Sequence, residues 1–175
     1  MAERHSVAPP SEPSRPVASR LGGARAYVVW IGAVMAYSVA VLQRTTMGVA
    51  GLEAADRFGA SATIVSSFVV LQLGVYALAQ IPAGMLLDRY GSRVTLVAGA
   101  LLMGAGQLLM AQTETVGTAM IARIVLGAGD ALTFSSAIRL VPAWFPAGRV
   151  PVLTQLTGIL GQVGQIASAV PFVAV

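Results

Sequence analysis

Residues 61–111 read SATIVSSFVVLQLGVYALAQIPAGMLLDRYGSRVTLVAGALLMGAGQLLMA. This stretch contains two apolar runs, 61–87 and 94–111, which are separated by a short charged turn at 88–93. Each run is near or above the roughly 20 residues that a helix needs to cross the hydrocarbon core of a bilayer. A helix also satisfies its own backbone hydrogen bonds inside lipid. The stretch therefore predicts two membrane-spanning helices that reverse direction at the charged turn.

The composition of the whole chain is also typical of a membrane protein. Of the 175 residues, 56% are hydrophobic and 10% are charged, whereas a water-soluble domain carries about a quarter charged residues. The net charge of +4 is the balance of eleven arginines and seven acids; the arginines are scattered, so we expect no nucleic-acid partner. Cys is absent and the single His is His5, so we predict no metal site, no cofactor and no Cys/His catalysis. An enzyme is not expected, because no nucleophile and base occur at usable spacing.

Further apolar runs extend the predicted membrane region to residues 26–175. They cover about 26–51, 116–141 and 152–175. With the two runs described first, they make about five transmembrane helices. Residues 1–25 are rich in Pro, Ser and Arg and are predicted to be a disordered tail. The expected fold class is an all-α membrane protein with the lipid bilayer as its surround.

The arginines predict the orientation of the chain. If the N-terminus is cytoplasmic, the cytoplasmic segments contain Arg4, Arg15, Arg20, Arg25, Arg89, Arg93 and Arg149, with Arg139 near the same face, and the opposite side contains only Arg44 and Arg57. Cytoplasmic loops carry an excess of basic residues. We therefore predict a multi-pass protein of the plasma (inner) membrane with a cytoplasmic N-terminus.

The turn between the second and third spans places an acid where a helix dipole disfavours it. Asp88 lies at the C-terminal end of the second span, so it needs a positively charged partner. Gly91 can supply a left-handed turn. Gly84, one turn before Asp88, would permit close approach of another helix.

The segment Gly84–Arg93, GMLLDRYGSR, resembles the signature loop of the major facilitator superfamily, Gly-x-Leu-x-Asp-basic-x-Gly-basic-basic. Ser92 replaces one of the basic residues. The resemblance implies that the loop is a gate, with Asp88 as its acid and Arg89 and Arg93 as the partners of that acid. It also implies an incomplete N-terminal half of a major-facilitator fold, for which a C-terminal half is missing.

The fourth span contains two ionisable residues, Arg123 and Asp130. Charges inside hydrocarbon are costly, so a functional role is the default hypothesis. The two residues are separated by about 10 Å along one helix face, so each should face a cavity or another helix; a buried pair that fixes packing is the alternative. The segment with Arg123, Gly127 and Gly129 resembles the superfamily motif Arg-x-x-x-Gly-x-Gly, whose Arg is associated with substrate or proton coupling. Asp130 has no counterpart in that motif.

Two other spans carry candidate site residues. Arg44 resembles the first-helix Arg with which organic-anion and sugar-acid porters bind an anionic group, and a guanidinium suits that task. Alternatively, Arg44 ends the helix and reaches to the headgroups. In the second span, Gln72, Tyr76 and Gln80 recur every four residues. This stripe either lines a substrate path or supplies hydrogen bonds between helices.

The fifth span carries Gly158, Gly161 and Gly164, which predict close helix packing, as Gly127 and Gly129 do in the fourth. Gln162 follows Gly161, so the Gly-Pro signature of the superfamily's exporters is absent and uptake is favoured. Parts of the chain also resemble nitrate and nitrite porters, but the second span lacks the Arg that those proteins carry there.

Together these features predict secondary active transport, a symport, of a small polar or anionic solute by alternating access. A coupling proton or ion would be a partner. The competing hypothesis is a truncated or non-transporting membrane protein whose helices serve packing or assembly.

Overall fold

The computed structural model of the protein describes residues 22–49 and 51–173. The predicted disordered tail covers residues 1–25, and its residues 1–21 lie outside these ranges. The elements are helices α1 (Ala24–Val49), α2 (Gly51–Phe58), α3 (Ala62–Gln112) and α4 (Val116–Trp144), a 3-10 turn (Ala147–Arg149) and helix α5 (Val150–Val173). No strand occurs in these two ranges.

Helix α3 is two helices joined at Gly91. The backbone of Gly91 has φ 78° and ψ 163°, a left-handed conformation that glycine adopts without a Cβ clash. We call residues 62–90 the first arm and residues 92–112 the second arm. At 51 residues, α3 would be about 77 Å long if it were straight, more than twice the hydrocarbon thickness of about 30 Å. The two arms therefore cross the membrane separately.

Helix α4 lies between the two arms. Along the first arm, contacts run in the same direction as α4, from Gln72 with Arg123 to Asp88 with Arg139. Along the second arm they run in the opposite direction. The two arms are therefore antiparallel to each other, as a membrane hairpin requires. The second-arm contacts are Gly106 with Leu126, Gly99 with Gly129, and Arg93 with Trp144.

Helices α1 and α5 form a second, parallel pair. Trp30 Nε1 donates to Thr157 Oγ1 at 2.9 Å near the start of both helices. Thr45 Oγ1 donates to Ser168 Oγ at 2.8 Å near their other ends. Each helix advances about 1.5 Å per residue. Contacts whose residue numbers increase together along the two helices therefore indicate parallel packing.

Three helices of the described residues are long and apolar enough to cross a membrane: α1 over Ala24–Thr46, α3 and α4. Because α3 contributes two crossings, they account for four spans. Helix α5, at 24 residues and about 36 Å, is long enough for a fifth. Large apolar side chains cover the outer surface, as expected of a surface in contact with acyl chains; examples are Val28, Val70, Leu78, Ile81, Leu101 and Ile166.

Two apolar clusters hold the ends of the bundle, and between them lie buried polar residues and two smaller apolar clusters. The cluster at the end where the chain reverses at Gly91 joins α1, α4 and α5 and includes Trp30, Leu140 and Phe145. The cluster at the opposite end joins α3 and α4 through Phe68. We call the two ends the Gly91 end and the Thr115 end.

The element boundaries differ from the predicted spans by a few residues. Helix α1 stops at Val49, and the short helix α2 follows it. Helix α4 continues past residue 141 to Trp144 with Pro142 inside it. Membrane helices tolerate such a proline where neighbouring groups compensate for the missing bond.

Candidate functional site

A buried ion pair joins α1 to α4 in the interior of the bundle. Arg44 Nη1 lies 3.4 Å from Asp130 Oδ2. The Asp130 side chain is 1% exposed, whereas that of Arg44 is 20% exposed. Neither carboxylate oxygen of Asp130 has a hydrogen-bond partner in the described part of the chain. The pair is therefore an electrostatic contact, and the carboxylate keeps its capacity to accept hydrogen bonds.

Tyr76 brings the first arm into the same site. The Arg44 guanidinium carbon, Cζ, lies 5.3 Å from the centroid of the Tyr76 ring, within the range of a cation–π interaction. Phe134 of α4 lies between Tyr76 and Tyr37, at ring-centroid distances of 6.2 Å and 5.4 Å. Three helices thus meet at Arg44, and one side of the site is aromatic.

Arg123 has a neutral partner. Its Nη1 donates to Gln72 Oε1 at 2.7 Å, and both residues are buried, at 4% and 3% exposure. The Nε of Arg123 has no hydrogen-bond partner among residues 22–49 and 51–173. Burying a guanidinium without an opposite charge is costly. Because Gln72 is neutral, the positive charge of Arg123 is not compensated, and its Nε–H remains available to bind an anion.

The polar stripe on the first arm is in contact with the other helices. Gln72 accepts from Arg123, Tyr76 lies under Arg44, and Gln80 Oε1 accepts from Ser135 Oγ at 2.9 Å. All three side chains therefore take part in contacts between helices. Gln72 contacts Arg123, and Tyr76 contacts Arg44. The same side chains therefore connect helices and line the charged site.

The charges in the membrane interior do not balance. Arg44 and Arg123 are two cations, and among the described residues the only acid that forms a salt bridge with either of them is Asp130, with Arg44. One positive charge is left over. A fixed excess of positive charge away from water favours an anionic ligand over a neutral or cationic one.

Glycines bring the helix backbones together around this site. A Cβ at Gly127 would lie 2.7 Å from the carbonyl oxygen of Gln72, and one at Gly129 would lie 2.8 Å from that of Gly99. The two glycines therefore set α4 directly against both arms, which is why Arg123 reaches Gln72 on the first arm.

Close approach also joins α5 to α1. A Cβ at Gly161 would lie 2.2 Å from the Tyr37 ring, and one at Gly164 would lie 2.1 Å from the Ser38 carbonyl oxygen. Gly158 differs, since nothing in the described part of the chain lies within 4 Å of its Cβ position. This part of the predicted glycine face is open in the structure, because Gly158 points away from α1.

The predicted gating loop is arranged differently from its expected charge network. Asp88 forms its ion pair with Arg139 of α4, and both side chains are largely exposed, at 62% and 57%. Arg93 instead lies 5.2 Å from the ring of Trp144, and Arg89 stacks on its neighbour Tyr90 at 5.4 Å. The expected pairing of Asp88 with Arg89 and Arg93 is therefore corrected. Because Gly91 turns the backbone away from the helix axis, Arg93 starts the second arm and points toward the end of α4.

Gly84 lies in the same loop segment without the close contact that was expected of it. No atom of residues 22–49 or 51–173 lies within 4 Å of its Cβ position. The buried residues of this turn are Ala83 and Leu87, so the face of the helix that carries Gly84 points away from α4. The sequence predicted Arg139 to lie near the cytoplasmic face of the membrane, but it did not predict that Arg139 pairs with Asp88.

These features define a multi-pass, all-α membrane protein with an anion-compatible charged site among its helices. The sequence model of the Major Facilitator Superfamily matches residues 29–173. The chain therefore belongs to the Major Facilitator Superfamily, as the loop between the two arms predicted. The all-α membrane fold of major-facilitator type is confirmed at the same time.

Several curated proteins are similar to this chain. It is 29% identical over 104 residues to a probable L-galactonate transporter of Escherichia coli K12, covering 59% of this chain and 23% of the relative. It is 26% identical over 131 residues to a D-galactonate transporter of Escherichia coli O6:H1, covering 75% and 30%. A probable galactarate/D-glucarate transporter of Pseudomonas putida is 28% identical over 127 residues, covering 69% and 28%.

The aligned region therefore spans less than a third of the length of each of these relatives. Their names all describe transporters of sugar acids. The resemblance to organic-anion porters that Arg44 indicated is confirmed by these matches.

Proposed function

We propose that this chain forms part of a secondary active transporter for small carboxylate anions, with hydroxylated sugar acids as the first candidates. The observation that carries the proposal is the buried Arg44–Asp130 contact at 3.4 Å, beside a second arginine without an acidic partner. The names of the relatives supply the class of solute, since they include galactonate and glucarate transporters.

Each charged residue has a distinct role in this proposal. Arg44 binds the carboxylate of the solute, because its planar fork of donors matches that group. Asp130 holds the same guanidinium when no solute is bound and takes up a proton when the solute displaces it, which makes the transport a symport. Arg123 provides the second positive charge, and Gln72, Tyr76 and Gln80 form the wall opposite α4.

The proposal includes an orientation and a gate. The Gly91 end faces the cytoplasm of the plasma membrane, with the N-terminus on the same side, because the arginines outside the spans are concentrated there. The Asp88–Arg139 pair joins the first arm to α4 at this end. The pair helps to hold one access state, and a C-terminal half supplies the surface against which the site opens and closes.

Uptake in proteoliposomes tests the proposal. The protein encoded by the complete reading frame is reconstituted, a proton gradient is imposed, and the entry of labelled D-galactonate is measured. We expect Arg44→Gln, Arg123→Gln and Asp130→Asn each to abolish net uptake while the protein remains in the membrane. Arg25→Gln is the matched control, since Arg25 is exposed at the Gly91 end and its loss removes one charge without touching the site.

Wild-type uptake by all three variants would refute the assignment of the site. Absence of uptake of any sugar acid by the unmodified protein would refute the proposed function. The competing hypothesis, a membrane protein that serves only packing or assembly, predicts this second result.

A further inference from the structure

The Gly91 end carries a large excess of positive charge. Its described residues include five arginines and one acid, Asp88, which contacts Arg139. The Thr115 end presents the exposed acids Asp56 and Glu114. The bundle is thus electrically polar along its axis, and the Gly91 end favours an anionic surface. The five arginines are Arg25, Arg89, Arg93, Arg139 and Arg149.

Two of these arginines lie on either side of the junction between α4 and α5. Arg93 stacks on the ring of Trp144 at 5.2 Å. Arg149 Nη1 donates to Tyr27 Oη at 3.2 Å. The backbone of Gly22 connects the two contacts, since its N–H donates to the Trp144 carbonyl at 3.0 Å and its Cβ position lies 3.6 Å from Arg149 Nη1.

Neither Arg93 nor Arg149 forms a salt bridge within residues 22–49 and 51–173. Both side chains are exposed, whereas Trp144 and Tyr27 are half-buried. Each guanidinium is therefore oriented by an aromatic side chain and keeps donors directed outward. Two oriented guanidinium groups without carboxylate partners are well suited to a phosphate group.

The position of this pair relative to the membrane selects the source of the phosphate. Trp and Tyr concentrate at the depth of the lipid headgroups, and basic pockets between helix ends bind anionic headgroups. We propose that Arg93, Trp144 and Arg149 form a site for the phosphodiester headgroup of an anionic phospholipid. The guanidinium groups bind the phosphate, and the indole ring lies beside the glycerol and the first part of the acyl chains.

The two tryptophans make the site measurable. The sequence contains only Trp30 and Trp144, and Trp30 is buried against Thr157. In a Trp30→Phe background, fluorescence reports on Trp144 alone. The 175-residue chain is placed in nanodiscs of phosphatidylcholine with a minor fraction of phosphatidylglycerol. Two samples of identical lipid composition carry bromine either on the phosphatidylglycerol or on an equal amount of phosphatidylcholine.

We expect brominated phosphatidylglycerol to quench Trp144 more strongly than brominated phosphatidylcholine. One charge-assisted contact between a guanidinium and the lipid phosphate is expected to favour the bound lipid by roughly tenfold. Arg149→Gln leaves the Arg93–Trp144 contact intact and should lower the preference by about that factor. The double variant Arg93→Gln/Arg149→Gln should abolish it. The double variant Arg25→Gln/Arg89→Gln removes the same charge from the same end and should retain it.

Three results would overturn the site. The first is equal quenching by the two brominated lipids in the Trp30→Phe protein. The second is an equal loss of preference in the two double variants, which would indicate a diffuse surface potential. The third is equal quenching by the two lipids together with a change in Trp144 fluorescence on addition of inorganic phosphate but not of chloride at equal ionic strength, which would indicate a site for free phosphate. Arg149→Gln with a normal helical circular-dichroism spectrum and an undiminished preference would also refute the role of Arg149.

Discussion

The guanidinium of Arg44 contacts the carboxylate of Asp130 at 3.4 Å, and the acid is the more deeply buried of the two, at 1% against 20% exposure. Asp130 has no hydrogen-bond partner among the described residues, so Arg44 provides most of the compensation for its charge. Arg44 is partly open and also contacts Tyr76. Removing the arginine is therefore expected to cost more than removing the acid.

Stability measurements test this asymmetry. We expect Arg44→Gln to lower the free energy of unfolding by about 3–5 kcal/mol, because it leaves a buried charge without a partner. Asp130→Asn should cost less, and the double variant should recover most of the loss caused by Arg44→Gln. Arg139→Gln is the control: it breaks an exposed pair, which is worth about 1 kcal/mol or less. Denaturation in detergent, followed by circular dichroism, measures all four; additive, equal effects at Arg44 and Asp130 would contradict the prediction.

The unbalanced charge of Arg123 leads to a second prediction. Gln72→Glu would give Arg123 a carboxylate partner at the position of the present 2.7 Å hydrogen bond. The excess positive charge of the site would then be lost, and we expect the affinity for D-galactonate to fall by about tenfold or more, as the loss of one charge-assisted interaction implies. Gln112→Glu is the matched control, because Gln112 is exposed at the Thr115 end, outside the proposed wall of the site. Binding titrations of the reconstituted protein measure both, and an equal loss in the two variants would argue against specific neutralisation of Arg123.

The glycine face of α5 gives a third prediction with an internal control. A Cβ at Gly164 would overlap the Ser38 carbonyl oxygen, which is backbone and cannot rotate away. We expect Gly164→Ala to lower the free energy of unfolding by about 1–3 kcal/mol. Gly158→Ala has open space around it and should be neutral or stabilising by up to about 1 kcal/mol, since Ala is the better helix former. Thermal unfolding of the two variants distinguishes them; equal melting temperatures would show that α1 and α5 are not packed as described.

The orientation of the bundle can be tested directly, because the chain contains no Cys. Ala147 is exposed at the Gly91 end and Glu114 is exposed at the Thr115 end. We expect Glu114→Cys to react with a membrane-impermeant maleimide on intact cells, and Ala147→Cys to react only after permeabilisation. The reverse pattern would place the N-terminus outside and would remove the cytoplasmic assignment of the gate.

Periodicity along the sequence was sufficient to predict the helices and the face that carries their polar residues. Gln72, Tyr76 and Gln80 recur every four residues, and all three contact other helices in the structure. The Arg44–Asp130 contact was not predicted, because the two residues lie on different helices and no local pattern gives the rotation of one helix relative to another. The close approach at Gly127 and Gly129 sets α4 against the arms of α3, whereas Phe134 of α4 packs on Tyr37 of α1 beside the Arg44–Asp130 contact.

The turn at Gly91 shows the same limit at shorter range. The need of Asp88 for a cation followed from the helix dipole, but its partner is Arg139 and not the nearby Arg89 or Arg93. Sequence proximity does not determine where a side chain points once the backbone leaves the helix, and Gly91 has φ 78°. The side chain of Arg93 consequently lies against Trp144.

Packing divides the described helices into two units. The arms of α3 enclose α4 through Gly127 and Gly129, and α5 is joined to α1 through Gly161 and Gly164. At the Gly91 end the units pack through apolar side chains. Deeper in the bundle they are joined by the contact between Arg44 and Asp130, by Tyr37 on Phe134 and by a small apolar cluster. An anion that takes Asp130's place on Arg44 would remove one contact between the two units, so its binding would be measured as a change in the distance between α1 and α4.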